Sequence, residues 1–256
     1  MVPILRNSKS NAVKVNTVGL RSYDFTIKRK IEKKILKSAA RHIWDDDVIY
    51  RARNGRENNV LFLDSHDLLT AKHFHRVFPK KNLTIIEKSP TVAKIMNKRG
   101  YDAIVAPIEE MAGSLMKLKN YPLVYLDFSC TIIGALNDNS APLTAIQEIL
   151  KNTSLNKIVI ATTFSMRGNP KLSLTDQKTM PDEIYFNYLR PCFRSAQFTG
   201  KVQYMKYSRN VDAETMVVFI SELHRDTTIN PDDIDYIIHR YPDGFKFAGY
   251  SEWLAN

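Results

Sequence analysis

The sequence predicts an α/β fold with a mostly parallel seven-stranded sheet, a C-terminal antiparallel hairpin and helices on both faces. Short apolar runs, typical of buried strands, alternate with stretches of helical periodicity. The five runs are 60–63, 83–86, 102–106, 123–128 and 157–162. This alternation indicates right-handed crossovers between parallel strands. Two more runs, 200–208 and 214–223, are joined by a short polar segment and predict the hairpin.

Local signals mark where several helices begin and end. Ser89 and Pro90 supply an N-cap and a first-turn proline to a helix that ends at Gly100. Apolar residues at helical spacing after Asp24 predict an amphipathic N-terminal helix whose remaining faces carry many lysines and arginines. An Asn-Pro pair at 230–231 predicts a last helix near the C-terminus.

These elements divide the chain of 256 residues into four segments. A polar arm at 1–23 precedes a basic helical extension at 24–54, and the α/β domain spans 55–223. A C-terminal extension with several aromatic residues occupies 224–256. A chain of this length and hydrophobic content favours one main domain.

The chain is strongly basic, with 37 lysines and arginines, 27 aspartates and glutamates, and a formal net charge of +10. An excess of this size favours a polyanion such as RNA or DNA as a partner. Candidate phosphate contacts lie on the basic helix and in the long polar segment after the fifth strand. They are Lys30, Lys33, Lys34, Lys37, Arg167 and Lys171. The alternative for the helix is a solvated face that only covers the domain.

The two cysteines, Cys130 and Cys192, are too few for a disulfide framework or a four-cysteine zinc site. His73 and His75 lie on different faces of one predicted helix, so we expect no bound metal. The sequence starts without a signal-peptide core, and no apolar run reaches membrane-spanning length. These features predict a soluble intracellular protein, in the cytoplasm or nucleus, that does not bind a membrane.

Acidic side chains follow three of the predicted strands at the point where each ends. Asp64 ends the first strand in VLFLDSHDLL, Glu87 ends the second in LTIIEKSP, and Asp127 ends the fourth in LVYLDFSC. Glu87 stands 23 residues after Asp64, close to the separation of about 20 that nucleotide-binding α/β units show. In open parallel sheets a ligand lies beyond the carboxyl ends of the strands, so we expect these acids to face one ligand.

The turn after Asp64 contains no glycine, although glycine lets a backbone approach a nucleotide closely. Ser65 or Asp67 can instead cap the next helix, whose N–H groups would then face the ligand. His66 can donate a hydrogen bond to a carboxylate or a phosphate. Two alternatives are open: these side chains replace the lost backbone contacts, or they fill the pocket.

With five alternating strands, a terminal hairpin and these strand-end acids, residues 55–223 resemble the class I S-adenosylmethionine-dependent methyltransferases, a Rossmann-like family. The resemblance implies S-adenosylmethionine as the cofactor, with Glu87 accepting hydrogen bonds from both ribose hydroxyls. It implies a set of cofactor-binding positions: Asp64, Ser65, His66, Glu87, Pro107 and Ile108. Pro107 can equally serve as the first residue of a helix. The glycine-free turn departs from the glycine-rich first motif of the family.

The segment Asp127-Phe128-Ser129-Cys130 is similar in position to two catalytic motifs of nucleic-acid methyltransferases and matches neither. In one chemistry, Asp127 accepts a hydrogen bond from a target amine and Phe128 stacks on the base. In the other, Cys130 attacks the base as a thiolate, which needs a lowered pKa. A buried, inert Cys130 is the alternative.

These observations predict an S-adenosylmethionine-dependent methyltransferase that acts on RNA or DNA. The first alternative is a catalytically inactive protein of the same fold that serves as a nucleic-acid-binding or partner-binding subunit. The glycine-free turn favours this alternative. The second is a nucleotide-binding oxidoreductase. That enzyme would also use Glu87, but it needs the missing glycines for the close approach of its pyrophosphate.

Overall fold

The structure of the protein is a computed structural model that describes most of the sequence. The described residues are 25–44, 58–131, 141–165, 181–182, 184–208, 215–227, 236–240 and 252–253. The candidate phosphate contacts Arg167 and Lys171 lie outside them, as do Asp24 and the Asn-Pro pair at 230–231.

The strands are β1 (Val60–Leu63), β2 (Leu83–Glu87), β3 (Asp102–Val105), β4 (Leu123–Thr131), β5 (Lys157–Ser165), β6 (Phe198–Ser208), β7 (Thr215–Arg225), β8 (Tyr236–Arg240) and β9 (Glu252–Trp253). Within the described residues these nine form one sheet, in the order β3-β2-β1-β4-β5-β7-β6-β8-β9. Neighbours among the first five strands are parallel, whereas β7 is antiparallel to both β5 and β6. The predicted mostly parallel sheet with a C-terminal hairpin is confirmed, and two further strands extend it.

The helices are α1 (Phe25–Ile43), α2 (Leu69–Phe74), α3 (Pro90–Lys98), α4 (Ile108–Leu118), α5 (Ala141–Asn152) and α6 (Arg190–Ser195), with a 3-10 turn at Lys80–Asn82 and a π-helical turn at Tyr185–Leu189. The predicted start of α3 is confirmed, since Ser89 Oγ accepts a hydrogen bond from Val92 N at 3.4 Å. Gly100, just beyond this helix, has a φ of 80°. Such a φ favours glycine, which lacks a Cβ, and so explains the stop signal.

Helices cover both faces of the sheet, as the alternation of strands and helices predicts. The first three helices pack on one face, where Phe74 of α2 meets Tyr125 of β4. The last three pack on the other face, where Ile146 of α5 and Phe193 of α6 are buried. The central strands are therefore buried on both sides, which explains why each appears in the sequence as a continuous apolar run.

The N-terminal helix α1 is bonded to the sheet near both of its ends. Near its C-terminal end, Ser38 Oγ donates to Glu222 Oε1 of β7, and Arg41 pairs with the same carboxylate. Near its N-terminal end, Lys28 donates to Asp127 of β4. Since β7 runs opposite to β4, these contacts orient α1 antiparallel to β4, with its first turns at the carboxyl edge of the parallel strands.

The C-terminal part of the chain differs from the prediction. Residues 236–240 form β8, which pairs in parallel with β6, where the sequence predicts a helix that begins at 230–231. Tyr236, Ile237 and Ile238 are aromatic and β-branched residues, which favour a strand when an open sheet edge is within reach. The helix prediction is wrong for these residues, because an available pairing partner outweighs a local start signal.

Candidate cofactor site

A cavity of about 430 Å³ opens at the carboxyl edge of the sheet, beyond the ends of β1 and β2 and beside Asp127 of β4, a strand that continues to Thr131. It lies where the strand order reverses, since β2 and β3 lie on one side of β1 while β4 and β5 lie on the other. Small-molecule sites typically have volumes of about 300 to 1,000 Å³. The cavity is lined by Asp64, Glu87 and Asp127, so the structure brings together the three strand-end acids.

Asp64 organises the turn that follows β1. Its Oδ1 accepts a hydrogen bond from Ser65 N at 2.9 Å, and its Oδ2 accepts one from Ala71 N, in the first turn of α2, at 2.8 Å. The carboxylate thereby satisfies an N–H group that the start of a helix leaves unpaired. Burial raises the pKa of Asp64 from 3.8 to about 6, while the Lys28 ammonium and the two backbone donors lower it.

A leucine takes the left-handed conformation in the glycine-free turn. Leu68 has φ 55° and ψ 41°, and its N–H donates to Ser65 O at 2.9 Å. Its side chain is fully buried, and this packing offsets a conformational cost of about 1–2 kcal/mol for a residue with a Cβ. The expectation that Ser65 or Asp67 caps α2 is wrong, because Leu68 is the N-cap residue and no N-cap side chain bonds the helix start. The carboxylate of Asp64 takes that role instead.

Ser65 and His66 are exposed and are not among the described residues that line the cavity. His66 Nε2 lies 3.4 Å from Asp67 Oδ1, and both side chains are more than half exposed. These turn side chains therefore do not fill the cavity, which removes one of the two alternatives for the glycine-free turn. A contact between Ser65 or His66 and a cofactor stays a prediction.

Glu87 lies at the end of β2 with one carboxylate oxygen fixed. Its Oε1 accepts a hydrogen bond from Ser89 N at 2.7 Å, which holds the side chain at the start of α3. Its Oε2 has no hydrogen-bond partner within the described part of the chain. A carboxylate accepts without donating, so the remaining oxygen suits a ligand that presents hydroxyl groups.

Pro107 and Ile108 line the part of the cavity next to β3. Pro107 is the N-cap residue of α4, with φ −62° and ψ 137°, and Ile108 is the first helical residue. Pro107 therefore lies one position before the helix position that the sequence suggests. The two readings of this proline do not exclude each other, because a residue at the start of α4 also offers its apolar ring to the cavity.

Asp127 is paired with a lysine from the N-terminal helix. Lys28 Nζ lies 3.0 Å from Asp127 Oδ2, and the two side chains are 12% and 14% exposed. The ladder between β4 and β5 becomes irregular between Asp127 and Thr131, and such irregularities redirect side chains at the edges of sheets. In the sequence Lys28 is one of many lysines of α1. No local signal singles it out, since 99 positions separate the two partners.

Phe128 lines the cavity but is only 7% exposed. Its ring stacks on that of Phe164, with the centroids 5.7 Å apart, so little of its face is open to a base. The side chain of Cys130 is not among those that the structure describes. Burial raises the pKa of the other cysteine, Cys192, to about 12, so the Cys192 thiol is not a nucleophile near neutral pH.

Carboxylates outnumber cations around the cavity. Its ionisable lining residues are Lys88, Asp64, Glu87, Glu109 and Asp127. This surplus favours a ligand with positive charge and hydroxyl groups over a polyanion. In the described residues no group of three side chains is arranged to hold a metal ion, and no helix there has the length and apolar character needed to span a membrane.

No protein-family model and no curated protein matches the sequence, whereas many solved structures are similar. A precorrin-6y C5,15-methyltransferase from Geobacter metallireducens is 11% identical, with 77% of this chain and 87% of that chain covered and a TM-score of 0.41. TYW2 of M. jannaschii, in complex with AdoMet, is 12% identical, with 79% and 77% covered and a TM-score of 0.48. An rRNA methylase from Streptococcus thermophilus is 8% identical, with 74% and 95% covered and a TM-score of 0.44.

These sequence identities and TM-scores are too low to support a conclusion about function. The fold is defined by the order of the strands in the sheet. The five parallel strands lie in the order 3-2-1-4-5, and the antiparallel hairpin follows them with β7 next to β5. Helices cover both faces, and a ligand-sized cavity lies at the point where the strand order reverses. The chain therefore has the Rossmann-like α/β fold with a C-terminal antiparallel hairpin that the sequence predicts.

Proposed function

We propose that the protein is an S-adenosylmethionine-dependent methyltransferase that acts on nucleic acid, with the cavity at the carboxyl edge of the sheet as its cofactor site. The observation that carries the proposal is the convergence of Asp64, Glu87 and Asp127, from three adjacent strands, on one cavity. Each of these strands, or the residue that directly follows it, supplies an acceptor to the same ligand-sized space, which is where open α/β sheets hold nucleotides.

The residues around the cavity fit this cofactor. Glu87 keeps one carboxylate oxygen for the ribose hydroxyls, and Pro107 and Ile108 provide an apolar surface for adenine. The surplus of carboxylates suits the ammonium and sulfonium groups of S-adenosylmethionine, and it opposes the pyrophosphate of a dinucleotide. When bound, S-adenosylmethionine supplies an electrophilic methyl group on a positively charged sulfur.

Asp127 is the residue proposed to orient the target directly, and Phe128 is proposed to act by packing beside it and not by stacking on a base. Oδ2 of Asp127 lies against Lys28, and Oδ1 can accept a hydrogen bond from a target N–H or O–H and take the proton that the target loses. Phe128 and Phe164 form an aromatic pair beside this carboxylate. Positioning of this kind supplies most of the acceleration in a transfer between two bound groups. Nucleophilic attack by Cys130 stays the alternative chemistry.

Charge supports a nucleic-acid substrate. The chain carries a formal net charge of +10. On α1 the side chains of Lys30, Lys33 and Lys37 are exposed, and that of Lys34 is half-buried. Such lysines attract a polyanion independently of its sequence, and the attraction weakens as the salt concentration rises.

One observation favours a second function, that of a catalytically inactive subunit that binds nucleic acid or a partner protein. The carboxylate proposed to orient a target, that of Asp127, is already paired with Lys28 at 3.0 Å. A catalytically inactive protein could keep this ion pair intact at all times. The two functions share the basic helix, and they differ in whether the cavity binds the cofactor.

Calorimetric titration with S-adenosylmethionine separates these functions. We expect the wild-type protein to bind the cofactor, and we expect Glu87→Ala to abolish the heat because it removes the acceptor for the ribose hydroxyls. Glu110→Ala is the matched control, since Glu110 is an exposed acid close to the cavity that does not line it. A nicotinamide dinucleotide should give no heat. If the wild-type protein gives no heat with S-adenosylmethionine, the methyltransferase proposal fails and the binding subunit is favoured.

A further inference from the structure

A second concave site, of about 110 Å³, lies between α1 and α2 on the face of the sheet that these helices cover. We call it the basic cleft. Its ionisable lining residues are Lys28, Arg29, Glu32, Lys72, His73 and Arg76. Four of these six side chains carry a permanent positive charge and one is an acid, so the cleft has the opposite charge to the neighbouring cavity.

The acid of the basic cleft, Glu32, offsets only one of its four positive charges. Glu32 is 1% exposed, its Oε2 lies 2.6 Å from Nδ1 of His73, and its Oε1 has no hydrogen-bond partner among the described residues. Arg29 and Arg76 are exposed, and neither guanidinium has a carboxylate within ion-pair distance among the described residues. Arg29 lies on α1 and Arg76 in the turn that follows α2, and both line the same small space, so they are available to a shared anion.

The two lysines line the basic cleft and have different partners. Lys72 Nζ donates to a backbone carbonyl, Asp67 O, at 2.9 Å, and this neutral partner does not cancel the charge of the lysine. Lys28 lines the basic cleft, and its Nζ lies 3.0 Å from Asp127 Oδ2, which belongs to the cavity. An anion in the basic cleft would therefore lie next to the group that occupies the cavity.

We propose that the basic cleft binds a backbone phosphate of the polynucleotide substrate, adjacent to the nucleotide that enters the cavity. This inference rests on the proposed function. The volume of the basic cleft, about 110 Å³ against about 430 Å³ for the cavity, suits one phosphate group and not a whole nucleotide. Arginine guanidinium groups bind two phosphate oxygens at once, and lysine adds a point charge.

The basic cleft differs in kind from the exposed lysines of α1. Lys33 and Lys37 are exposed on the same helix but do not line the cleft, so they offer a diffuse attraction. Arg29 of α1 and Arg76 of the turn after α2 converge and offer a defined position for one phosphate. Phosphate contacts of this second kind set the register of a nucleic acid on a protein, and here they would place one nucleotide at the cavity.

Fluorescence anisotropy with a labelled single-stranded RNA and a DNA of the same sequence, at several salt concentrations, tests the inference. We expect the double variant Arg29→Ala/Arg76→Ala to bind about tenfold more weakly, with a salt slope that is smaller by about one. The matched control is Lys81→Ala/Lys117→Ala, which removes the same charge from exposed lysines outside the basic cleft and should bind like the wild type. Arg29→Lys/Arg76→Lys keeps the charge and should restore part of the affinity.

Several outcomes would overturn the inference. An equal loss of affinity in the cleft variant and the control variant would mean that only net charge matters. Competition by inorganic phosphate or a mononucleotide as effective as that of the oligonucleotide would assign the basic cleft to a free phosphate. Effective competition by a polyglutamate peptide would assign it to an acidic protein segment.

Calorimetry with S-adenosylmethionine on the same variants distinguishes this inference from the proposed function. The cleft variant should bind the cofactor like the wild type, because Arg29 and Arg76 do not line the cavity. A wild-type protein that binds the cofactor but no polynucleotide would overturn the basic cleft and leave the cofactor site. A wild-type protein that binds polynucleotide through Arg29 and Arg76 but gives no cofactor heat would support the basic cleft and overturn the methyltransferase.

Discussion

The cavity and the basic cleft lie on either side of Lys28, and they are built in different ways. The acids of the cavity, such as Glu87, come from the carboxyl ends of adjacent parallel strands, which must meet at one edge of a sheet. In the basic cleft, Arg29 lies on α1 and Arg76 in the turn that follows α2, and only packing brings these two elements together. The sheet topology thus creates one site, and the docking of the N-terminal helix creates the other.

The opposite charges of the two regions suit two different ligands. In the proposed function, a cationic cofactor binds in the cavity and a polyanionic substrate binds at the basic cleft. Lys28 lies at the boundary, where its pairing with Asp127 separates the acidic lining from the basic lining. The predictions below test whether the two regions are independent and whether Lys28 couples them.

The largest effect is expected from separating the two binding activities. Glu87→Ala should lower the affinity for S-adenosylmethionine by about 100-fold or more, because each hydrogen bond lost to a charged group costs about 1.5–3 kcal/mol. The same variant should bind RNA like the wild type, and Arg29→Ala/Arg76→Ala should show the reverse pattern. Calorimetry measures the affinity of the two variants for S-adenosylmethionine, and fluorescence anisotropy measures their affinity for RNA. If either variant loses both affinities, the two regions are one site and the comparison fails.

The next effect concerns Leu68, which lies in the turn between the two regions. Its side chain is fully buried and its φ is 55°, so Leu68→Ala should destabilise the fold by about 3 kcal/mol through the lost packing. Leu68→Gly should be about 1 kcal/mol more stable than Leu68→Ala, because glycine adopts a positive φ without strain. Urea unfolding measures both. The usual order, with the alanine variant more stable than the glycine variant, would contradict the left-handed conformation of this turn.

A smaller effect is expected from the Lys28–Asp127 pair. Lys28→Met should destabilise the protein by about 1–2 kcal/mol, because the partly buried Asp127 carboxylate loses its partner. The double variant Lys28→Met/Asp127→Asn should lose less unfolding free energy than the two single variants lose in sum. The difference, which is the coupling free energy of the pair, should be about 1 kcal/mol. Lys33→Met is the matched control, since Lys33 is an exposed lysine of the same helix, and it should change stability by less than about 0.5 kcal/mol. A coupling near zero in this cycle would mean that the ion pair does not join the helix to the cavity.

The smallest effect is the change that Lys28→Met should cause in the pKa of Asp64. Its pKa of about 6 in the folded protein exceeds the unfolded value of 3.8, so the folded state holds this proton more tightly. The stability that Asp64 contributes is therefore present below about pH 4 and is lost as the pH rises through about 6. NMR of the carboxyl carbon measures the pKa directly. Lys28→Met should raise it further because the lysine lowers it, and an unchanged pKa would place the Lys28 charge too far away to act on Asp64.

Most of the fold can be predicted from the sequence because it follows from local patterns. The apolar runs that predict β1 to β5 are long enough and regular enough to show which segments are buried. The start of α3 is visible in Ser89 and Pro90, whose effects reach only a few residues. At 236–240 the same kind of reasoning fails, because the pairing of β8 with β6 depends on a segment more than 30 positions away.

The residues of the candidate site also fall into those that can be predicted from the sequence and those that cannot. Sequence reasoning finds Asp64, Glu87 and Asp127, because an acid at the end of a strand is a local feature. It does not find that Leu68, instead of a glycine, supplies the left-handed residue, because that conformation is stabilised by burial of the side chain in the packed protein. It also assigns the helix cap to Ser65 or Asp67, whereas the buried carboxylate of Asp64 reaches the helix.

The order of the elements from α1 to β7, the acids Asp64, Glu87 and Asp127, and the positive charge of α1 can all be inferred from the sequence alone. Each of these depends on short-range periodicity or on composition. The pairing of Lys28 with Asp127 and the shared cleft of Arg29 and Arg76 are visible only in the folded protein, because these contacts join residues of separate elements. A charged side chain on an amphipathic helix has no preferred partner until packing of the apolar face sets the position of the helix.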